Sequence, residues 1–458
     1  MSNKNSNEKN KIIFSFHILM DMFLVCIAYL IVLTYFKYFG NLSISIKNNL
    51  LSAALVGILS LLFFRIYGVF RCGRRTYKEI VFSATLSLVF TNLLMIALDS
   101  LFKVFGIDPF IFPYSFLLQI LLISLWKFVV YRLYPLFYKP KDVLFFGNGD
   151  SAMEIAKKVF AKDNKMFNIM YVLDEDDKDI KSKISKVDTV FIGSDIGIDY
   201  KNQIIYHSIG MGKKLYLIPE LFEISLFNSK MDRFDDVPVL CVEDLHMSLE
   251  EKVLKRLFDI FVSIIMIIFS SPIMLVTFIT IKLYDGGPAL FSQERVTAGN
   301  KKFNLYKFRT MVVDAEKLTG PVLATDKDKR ITPMGSFLRS TRIDELPQLF
   351  NVLLGDMSIV GPRPERQHFI DQFKKDYPDY EYRLVAKAGL TGLAQVLGKY
   401  STTTEHKLKF DLIYIRDYSF LLDMKIIFQT VKIMFMKSSS QGVTSGKKKN
   451  EPAVGNTR

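Results

Sequence analysis

Hydrophobic and polar positions divide the chain into a long apolar front and a mixed remainder. Four apolar stretches come first, at about residues 12–36, 50–70, 80–98 and 110–133. Each is close to the roughly 20 residues that a helix needs to cross a hydrocarbon core. They predict a four-helix transmembrane bundle over residues 1–140. The first stretch is too long for a signal-peptide core and is followed by further spans, so it is expected to be retained.

Positive charge is distributed unevenly around these stretches. Residues 1–11, the loop 71–79 and the exit of the fourth stretch carry eleven Lys and Arg, whereas the two intervening loops carry three. Because Lys and Arg are held on the cytoplasmic side, both ends of the bundle and the chain after residue 140 are expected in the cytoplasm. His17 and Asp21 lie four residues apart in the first stretch and are expected to be a pair satisfied within the bundle.

Short apolar runs alternate with helical spacing over residues 141–250, which predicts a small Rossmann-like parallel α/β domain. A glycine turn with Gly147 and Gly149 matches G-x-G-x-x-A, and Asp174 follows the second run where a ribose-binding acid would lie. About 110 residues barely hold one mononucleotide-binding half, so a scaffold is favoured over a cofactor site. The predicted strands are residues 143–146, 169–173, 189–192 and 215–218.

A fifth apolar run, residues 258–281, has Ser271 and Pro272 near its middle and basic residues on both sides. Proline bends a helix, and a neighbouring hydroxyl can bond to the carbonyl that proline leaves free. Positive flanks on both sides predict a re-entrant helix, about residues 253–284, that returns to the face it entered. The alternative is an ordinary fifth span, which would place the C-terminal third outside.

Composition and charge narrow the class of protein. The 458 residues are 50% hydrophobic, and their mean hydropathy of +0.21 excludes a disordered chain and argues against a purely soluble one. Residues 142–250 carry 13 basic and 20 acidic residues, a net charge of −7, so the rest of the chain carries +21 and the whole chain +14. The basic residues flank apolar runs, which indicates an anionic membrane surface or phosphorylated substrates rather than nucleic acid. Three distant cysteines support neither a disulfide framework nor a zinc cluster.

Residues 251–437 contain the candidate chemistry. Lys307 and Arg309 fall on one face of a predicted strand, where two cations suit a diphosphate, although a solvated strand face is the alternative. Residues 420–436 predict an amphipathic helix lying on the membrane, and residues 438–458 a disordered tail.

Asp344 and Glu345 open a predicted helix with Pro347 in its first turn, and Arg339 and Arg342 lie beside them. Acidic residues at a helix start often only complement the helix dipole. An aspartate kept ionised by arginines can also act as a nucleophile, and an adjacent glutamate can share a divalent metal with substrate phosphates.

Arg363 lies between two prolines, a rigid arrangement that suits phosphate binding, with a plain surface turn as the alternative. Gly389 and Gly392, followed by three further polar positions, complete the set of clusters. Those three positions are Asp411, Tyr414 and Asp417.

In this order and spacing, residues 252–437 resemble the bacterial sugar transferase family, the monotopic polyprenyl-phosphate glycosyl-1-phosphate transferases. The resemblance rests on Ser271-Pro272, the 307–311 block, the Asp344-Glu345-Leu346-Pro347-Gln348 core, Pro362-Arg363-Pro364 and Gly389-Leu390-Thr391-Gly392. The whole chain resembles the larger form, in which four spans and a nucleotide-binding-like domain precede a mixed α/β catalytic domain with a re-entrant helix.

The resemblance implies transfer of a sugar 1-phosphate from a UDP-sugar to polyprenyl (undecaprenyl) phosphate on the cytoplasmic face of the bacterial inner membrane. UMP would be released, and the reaction would start exopolysaccharide, capsule or O-antigen synthesis. It implies Asp344 as the nucleophile of an aspartyl-phosphosugar intermediate and Glu345 as a partner in holding Mg²⁺ or handling a proton. The phosphate-binding residues would be Lys307, Arg309, Arg339, Arg342 and Arg363.

Two rival functions stay open. A membrane-anchored nucleotide-sugar dehydratase or epimerase would need a Tyr-x-x-x-Lys pair, and none of the 21 tyrosines has Lys four residues later. A non-enzymatic membrane scaffold of polysaccharide assembly would show no turnover. The sequence fixes neither the sugar nor the oligomeric state, and a homo-oligomer is compatible with it.

Overall fold

The computed structural model describes residues 2–39, 46–70, 73, 75–148, 156, 166–175, 177, 179–226, 229–242, 247–313, 328, 330–399 and 402–435. The chain divides into two compact units, Met1–Glu220 and Leu221–Arg458. Gly149 of the predicted glycine turn and the predicted tail 438–458 lie outside the described residues.

Four long helices occupy the apolar front of the first unit. They are α1 (Ser2–Phe39), α2 (Ile46–Tyr67), α3 (Tyr77–Phe102) and α4 (Ile111–Phe137). α2 and α4 each pack against both α1 and α3. Each of the four is long and apolar enough to cross a membrane. Large apolar side chains such as Leu19 and Leu62 are exposed, as expected for helices that face lipid.

A buried ion pair connects the first and last of these helices. Lys127 Nζ lies 2.6 Å from Asp21 Oδ2, and the two side chains are 1% and 0% exposed. The partner of Asp21 is therefore Lys127, while the His17 ring lies edge-on to Trp126 at 5.9 Å. By sequence position Lys127 belongs to the exit of the fourth stretch, but its side chain is buried among the packed helices. The loop count becomes ten against three, and the orientation it predicts is the same.

The rest of the first unit is a four-stranded parallel sheet, which confirms the predicted parallel α/β unit. Its spatial order is β2-β1-β3-β4, and all three strand pairs are parallel. Leu144, Phe146, Val190 and Ile192 are buried on the central strands. The elements are β1 (Lys141–Phe146), β2 (Phe167–Leu173), α5 (Ile180–Ser185), β3 (Thr189–Ile192), α6 (Ile198–Gly210) and β4 (Lys214–Leu217).

The second unit combines a long apolar helix with a mixed α/β domain. Strands β5 and β6 form an antiparallel hairpin, β7 and β8 another, and β9 and β10 a short parallel pair. The elements are α7 (Leu221–Leu226), β5 (Lys230–Phe234), β6 (Val237–Cys241), α8 (Leu249–Asp285), β7 (Leu290–Thr297), β8 (Lys301–Phe308), α9 (Pro333–Thr341), α10 (Gln348–Leu354), β9 (Ser358–Val360), α11 (Gln367–Asp376), β10 (Gly389–Thr391), α12 (Leu393–Leu397), α13 (Thr404–Arg416), α14 (Phe420–Met434) and the 3₁₀ helices Ala298–Asn300, Ile343–Glu345 and Pro378–Val385.

Helix α8 runs for 37 residues without interruption through Pro272. Pro272 cannot donate to the carbonyl of Ile268, four residues earlier, and Ser271 Oγ donates to that carbonyl instead at 2.8 Å. The predicted role of Ser271 as a substitute donor agrees with this contact. The helix is the fifth that is long and apolar enough to cross a membrane.

The first turns of α8 are fixed in the domain by buried polar side chains. Lys255 Nζ lies 2.5 Å from Asp423 Oδ2 and 3.1 Å from the Tyr414 hydroxyl. We call Lys255, Tyr414 and Asp423 the anchor network. One turn further along, Asp259 Oδ1 accepts hydrogen bonds from the Ser358 hydroxyl at 3.1 Å and from the Ile359 amide at 2.9 Å. Polar contacts thus hold α8 directly against β9.

The C-terminal helix α14 uses its apolar face inside the protein. Ile426 is buried in the domain core, and Leu422 and Ile427 pack against that core. This packing accounts for much of the amphipathic pattern that predicted a helix on the membrane surface.

Candidate active site

Asp344 and Glu345 lie in a single 3₁₀ turn between α9 and α10. The prediction that they open a helix is wrong in detail. α9 ends at Arg342, which adopts a left-handed backbone with φ of 58°, and α10 begins only after Pro347. The left-handed backbone of Arg342 ends the helical path, so α9 does not continue through the two carboxylates. The two carboxylates therefore project from a tight turn.

Apolar contacts place this turn against helix α8. Ile343 and Leu346, on either side of the two carboxylates, pack on a cluster that contains Met274 and Ile281 of α8. The carboxylates therefore lie close to the apolar helix, within the same unit.

Glu345 is surrounded by cations. Its Oε1 lies 3.5 Å from Lys307 Nζ and 3.3 Å from Arg363 Nη2, and its Oε2 lies 3.3 Å from Arg342 Nη1. Together with Asp344 and Arg339, these residues form what we call the charged cluster. Three of the five predicted phosphate-binding residues therefore contact the same glutamate.

Asp344 is in a different situation from Glu345, although it is the adjacent residue. It is only 8% exposed, and within the described part of the chain no hydrogen bond or ion pair holds its carboxylate. Burial, reinforced by the negative charge of Glu345, raises the pKa of Asp344 to about 6. Burial also favours a higher pKa for Glu345, but Lys307, Arg363 and Arg342 outweigh it and hold that pKa well below its usual range. One carboxylate is fixed by ion pairs and the other is available.

The other two predicted cations have different neighbours. Arg339 donates from Nε to the Thr310 hydroxyl at 2.9 Å, and its charge acts on Asp344 through space to lower the pKa. Arg309 follows the end of β8 and pairs with Asp285 at the end of α8. The structure therefore does not bring Arg309 into contact with either carboxylate of the charged cluster.

The glycine turn of the first unit faces acidic side chains. The Gly147 amide donates to the Leu173 carbonyl at 3.0 Å, and Asp174 follows directly after β2. The next amide, of Asn148, donates to the Asp195 carboxylate at 2.9 Å. A carboxylate at this position competes with a phosphate group, which is consistent with a scaffold role.

Candidate metal ligands are few in the described residues, where no group of three or more His, Cys, Asp or Glu could hold an ion. Asp344 and Glu345 are the two carboxylates of the charged cluster. Mg²⁺ commonly binds through one or two carboxylates and completes its shell with substrate phosphates and water. The unpartnered Asp344 carboxylate fits such an ion, whereas both oxygens of Glu345 already contact cations.

Comparison with known proteins identifies the family that the second unit resembles. Residues 250–437 match the family model described as bacterial sugar transferase. A candidate undecaprenyl-phosphate N-acetylgalactosaminyl 1-phosphate transferase of Bacillus subtilis (strain 168) is 48% identical over 149 residues, 31% of this chain and 83% of that protein. The chain belongs to the bacterial sugar transferase family.

Two longer relatives match over part of their length. The UDP-N-acetylgalactosamine-undecaprenyl-phosphate N-acetylgalactosaminephosphotransferase of Aeromonas hydrophila is 45% identical, over 39% of this chain and 43% of that protein. The UDP-glucose:undecaprenyl-phosphate glucose-1-phosphate transferase of Klebsiella pneumoniae is 40% identical, over 49% of each chain. The chain thus spans about half the length of these curated relatives.

In this sugar transferase the Pro362-Arg363-Pro364 turn is held at three successive carbonyls. The Pro362 carbonyl accepts from the Gly389 amide at 2.8 Å, and the Arg363 carbonyl from Arg383 Nη2 at 2.8 Å. The Pro364 carbonyl accepts from Arg295 Nη1 at 3.3 Å. Arg295 and Arg383 were not predicted, because neither belongs to a local motif.

The Gly389 motif has a packing explanation. A Cβ at Gly389 would lie 2.1 Å from the Gly361 amide nitrogen, and one at Gly392 would lie 2.1 Å from the Gly361 carbonyl oxygen. Both approaches are too close for any side chain. The glycines let β10 lie directly against the start of the Pro362-Arg363-Pro364 turn.

Of the three later polar positions, only Asp411 relates to this turn. Its carboxylate lies 2.8 Å from Arg383 Nη2, whereas Tyr414 belongs to the anchor network and Asp417 pairs with Arg416.

Proposed function

We propose that this protein transfers a sugar 1-phosphate from a UDP-sugar to undecaprenyl phosphate at a membrane and releases UMP. The observation that carries the proposal is the buried Asp344 carboxylate, which no described residue holds by a hydrogen bond or ion pair, in a cluster where four cations accompany two carboxylates. Such a site has a surplus of positive charge for a diphosphate and a free carboxylate to attack it. The names of the relatives supply the sugar nucleotide and the lipid phosphate.

In the first step an Asp344 carboxylate oxygen would attack the phosphorus that carries the sugar. The bond from this phosphorus to the UMP oxygen breaks, and UMP leaves with the bonding electron pair. In the second step a phosphate oxygen of the lipid attacks the same phosphorus and breaks its bond to Asp344. The products are a lipid diphosphate sugar and the regenerated carboxylate. This transfer would start assembly of a surface polysaccharide.

The cations have distinct tasks in this scheme. Lys307 and Arg363 would neutralise the diphosphate as charge moves onto the leaving UMP, and Arg339 would favour the ionised form of Asp344. Glu345 would hold Lys307, Arg342 and Arg363 in place. Mg²⁺ held by Asp344 and the substrate phosphates would supply further charge neutralisation. Arg309 contacts neither carboxylate, so any phosphate it binds would lie nearer the end of α8.

The decisive experiment is phosphosugar labelling of Asp344→Asn. The wild-type protein is incubated without lipid acceptor and with UDP-sugar that carries ³²P at the sugar-linked phosphate. It is expected to release UMP and to retain label. The variant should retain none and should lose transfer by about a thousandfold or more, because the amide is a poor nucleophile. Asp417→Asn, at a surface ion pair, is the matched control and should behave as wild type. Label retained by Asp344→Asn would refute the assignment.

The donor sugar is tested in the same assay. UDP-glucose, UDP-galactose and UDP-N-acetylgalactosamine are compared, because the relatives' names include glucose and N-acetylgalactosamine donors. Release of UMP from none of them, with undecaprenyl phosphate present, would favour a scaffold over an enzyme.

We further propose that α8 is re-entrant and that the charged cluster faces the cytoplasm of the bacterial inner membrane. Basic residues within α8 lie on both sides of its apolar run 258–281, and Ser271 satisfies the carbonyl that Pro272 leaves free. In cells of a variant whose native cysteines are replaced by serine, Lys302→Cys should resist a membrane-impermeant maleimide. Val104→Cys, in the exposed loop between α3 and α4, should react. Labelling of both positions would show that α8 crosses the membrane.

A further inference from the structure

Arg383 is a buried arginine whose guanidinium reaches the Pro362-Arg363-Pro364 turn. It is 4% exposed and lies in the 3₁₀ helix Pro378–Val385. Its Nε and Nη2 lie 3.0 and 2.8 Å from Asp411 Oδ2, and its Nη1 donates to the Tyr380 hydroxyl at 2.8 Å. The same Nη2 donates to the Arg363 carbonyl at 2.8 Å. All three nitrogens of the guanidinium are therefore engaged.

The partners of Arg383 are buried as well. Asp411 is 3% exposed and Tyr380 is 4% exposed, and the Arg383 guanidinium lies 5.1 Å from the centre of the Tyr380 ring. Asp411 is the ion-pair partner of Arg383, and Glu365 also acts on its charge through space. A buried, balanced and fully bonded guanidinium has one geometry available, which suits it to fix the position of a backbone group.

The turn that Arg383 holds presents a side chain of the charged cluster. Arg363 is 43% exposed at its side chain, and its Nη2 contacts Glu345 Oε1 at 3.3 Å. Its backbone is thus fixed from inside the protein while its guanidinium extends towards the site. A shift of the Arg363 carbonyl would move this guanidinium relative to Glu345 and to any bound diphosphate.

We propose that Arg383, held by Asp411 and Tyr380, is a positioning residue that acts through Arg363 to set the diphosphate site. The inference rests on the proposed function for its substrate and adds to it a residue that does not touch substrate. Arg383→Lys is the informative change, because lysine keeps the charge beside Asp411 but lacks the planar fork of nitrogens that reaches Asp411, Tyr380 and the Arg363 carbonyl together.

The test is a double-mutant cycle of Arg383→Lys and Arg363→Ala, read as kcat/KM for UMP release and as affinity for UDP. Arg363→Ala should lower kcat/KM by about a hundredfold and Arg383→Lys by about tenfold, the range for lost charged hydrogen bonds. If Arg383 acts through Arg363, the double variant should be no worse than Arg363→Ala alone. Additive losses would overturn the proposal.

Arg416→Lys is the matched control. Arg416 also donates to a backbone carbonyl, that of Ile224, and pairs with the neighbouring Asp417, but it has no contact with the turn. Its variant should keep wild-type activity and UDP affinity. Tyr380→Phe, which removes one acceptor and keeps the ring, gives a milder change and should show a smaller loss in the same direction as Arg383→Lys.

Hydrogen exchange gives a readout that does not depend on activity. The Gly361 and Gly389 amides, bonded to Thr391 and Pro362 carbonyls, should exchange faster in Arg383→Lys and not in Arg416→Lys. Unchanged exchange would overturn the proposal whether or not the chain is a transferase. A wild-type protein that neither binds UDP nor releases UMP would instead refute the proposed function, and exchange would still decide the role of Arg383.

Discussion

The anchor network, which is buried, and the charged cluster, which is partly exposed, are two sets of charges in the same unit, and their charges are balanced differently. In the anchor network one lysine faces one aspartate, and the Tyr414 hydroxyl donates to the second oxygen of that aspartate at 2.8 Å. In the charged cluster four cations accompany two carboxylates, and one of the carboxylates has no hydrogen-bond or ion-pair partner among the residues that the structure describes.

This difference in charge balance indicates a structural role for the anchor network and supports the proposed functional role of the charged cluster. A matched buried pair has no capacity left for a ligand, and its geometry fixes α8 on the domain. A surplus of like charges raises the free energy of the folded protein, because the cations repel one another and Asp344 is poorly solvated. Under the proposed function, an anionic substrate bound at the charged cluster would relieve that repulsion.

The largest expected effect is the loss of one partner from the anchor network. Lys255→Met should lower the free energy of unfolding by about 3–5 kcal/mol, because it leaves the Asp423 carboxylate buried without its cation. Burial already raises the pKa of Asp423 against the lowering influence of Lys255, which shows how costly this carboxylate is to desolvate. Denaturant unfolding of the detergent-solubilised protein measures the change.

The double variant Lys255→Met with Asp423→Leu controls for this result. Replacing both charges with apolar side chains of similar size should restore most of the lost stability, since no unpaired charge is left. A double variant as unstable as the single one would show that the contacts to Tyr414, and not the charge balance, hold α8 in place.

Removing the charge of Asp344 should change the free energy of unfolding in the opposite direction. The pKa of Asp344 is raised to about 6 in the folded protein, so its proton binds more tightly there than in the unfolded chain. The resulting stabilisation is complete below pH about 3.8 and is lost as the pH rises through about 6. At neutral pH the ionised Asp344 therefore destabilises the fold, and Asp344→Asn should raise the free energy of unfolding by about 1–3 kcal/mol.

The difference in unfolding free energy between Asp344→Asn and wild type should shrink as the pH falls, because wild-type Asp344 then becomes neutral too. A difference that stays constant with pH would mean that the stability gain has another source. The comparison would then lose its basis, since Asp344 would not be destabilising the charged cluster.

Local sequence patterns predicted the long apolar helices and the parallel sheet, and they grouped Asp344 and Glu345 with cations. Apolar length identified the long helices, alternation identified the parallel sheet, and Asp344 and Glu345 do lie among cations. Arg309 was grouped with Lys307 by the two-residue period of a strand, but β8 ends at Phe308 and the next residue turns towards Asp285. The predicted strand, residues 303–311, extends three residues beyond the end of β8, and that error is enough to assign a side chain to the wrong neighbours.

Pairs that are distant in the sequence could not be predicted. Arg383 and Asp411 lie 28 residues apart, and Asp21 and Lys127 lie 106 apart. No spacing rule connects such residues, because their contact depends on how whole helices pack. The first pair fixes the geometry of the Pro362-Arg363-Pro364 turn, and the second connects two of the apolar helices.

The smallest expected effect is a shift in a pH profile. Asp344 must be ionised to attack phosphorus, so label incorporation should fall as the pH drops through about 6. The negative charge of Glu345 helps to raise that pKa, so Glu345→Gln should move the acid limb to lower pH while lowering the maximum rate. The assay omits undecaprenyl phosphate, because a phosphate monoester itself titrates near pH 6.

The direction of the shift distinguishes two roles for Glu345. If Glu345 acts on Asp344 mainly by direct repulsion, its removal lowers the pKa of Asp344 and the acid limb moves to lower pH. If the main role of Glu345 is to hold Lys307, Arg342 and Arg363 near Asp344, its removal lets those cations move away. The pKa of Asp344 then rises, and the acid limb moves to higher pH. Asp417→Asn should leave the profile unchanged. An upward shift in Glu345→Gln would therefore show that cation placement, rather than carboxylate repulsion, sets the nucleophile's ionisation.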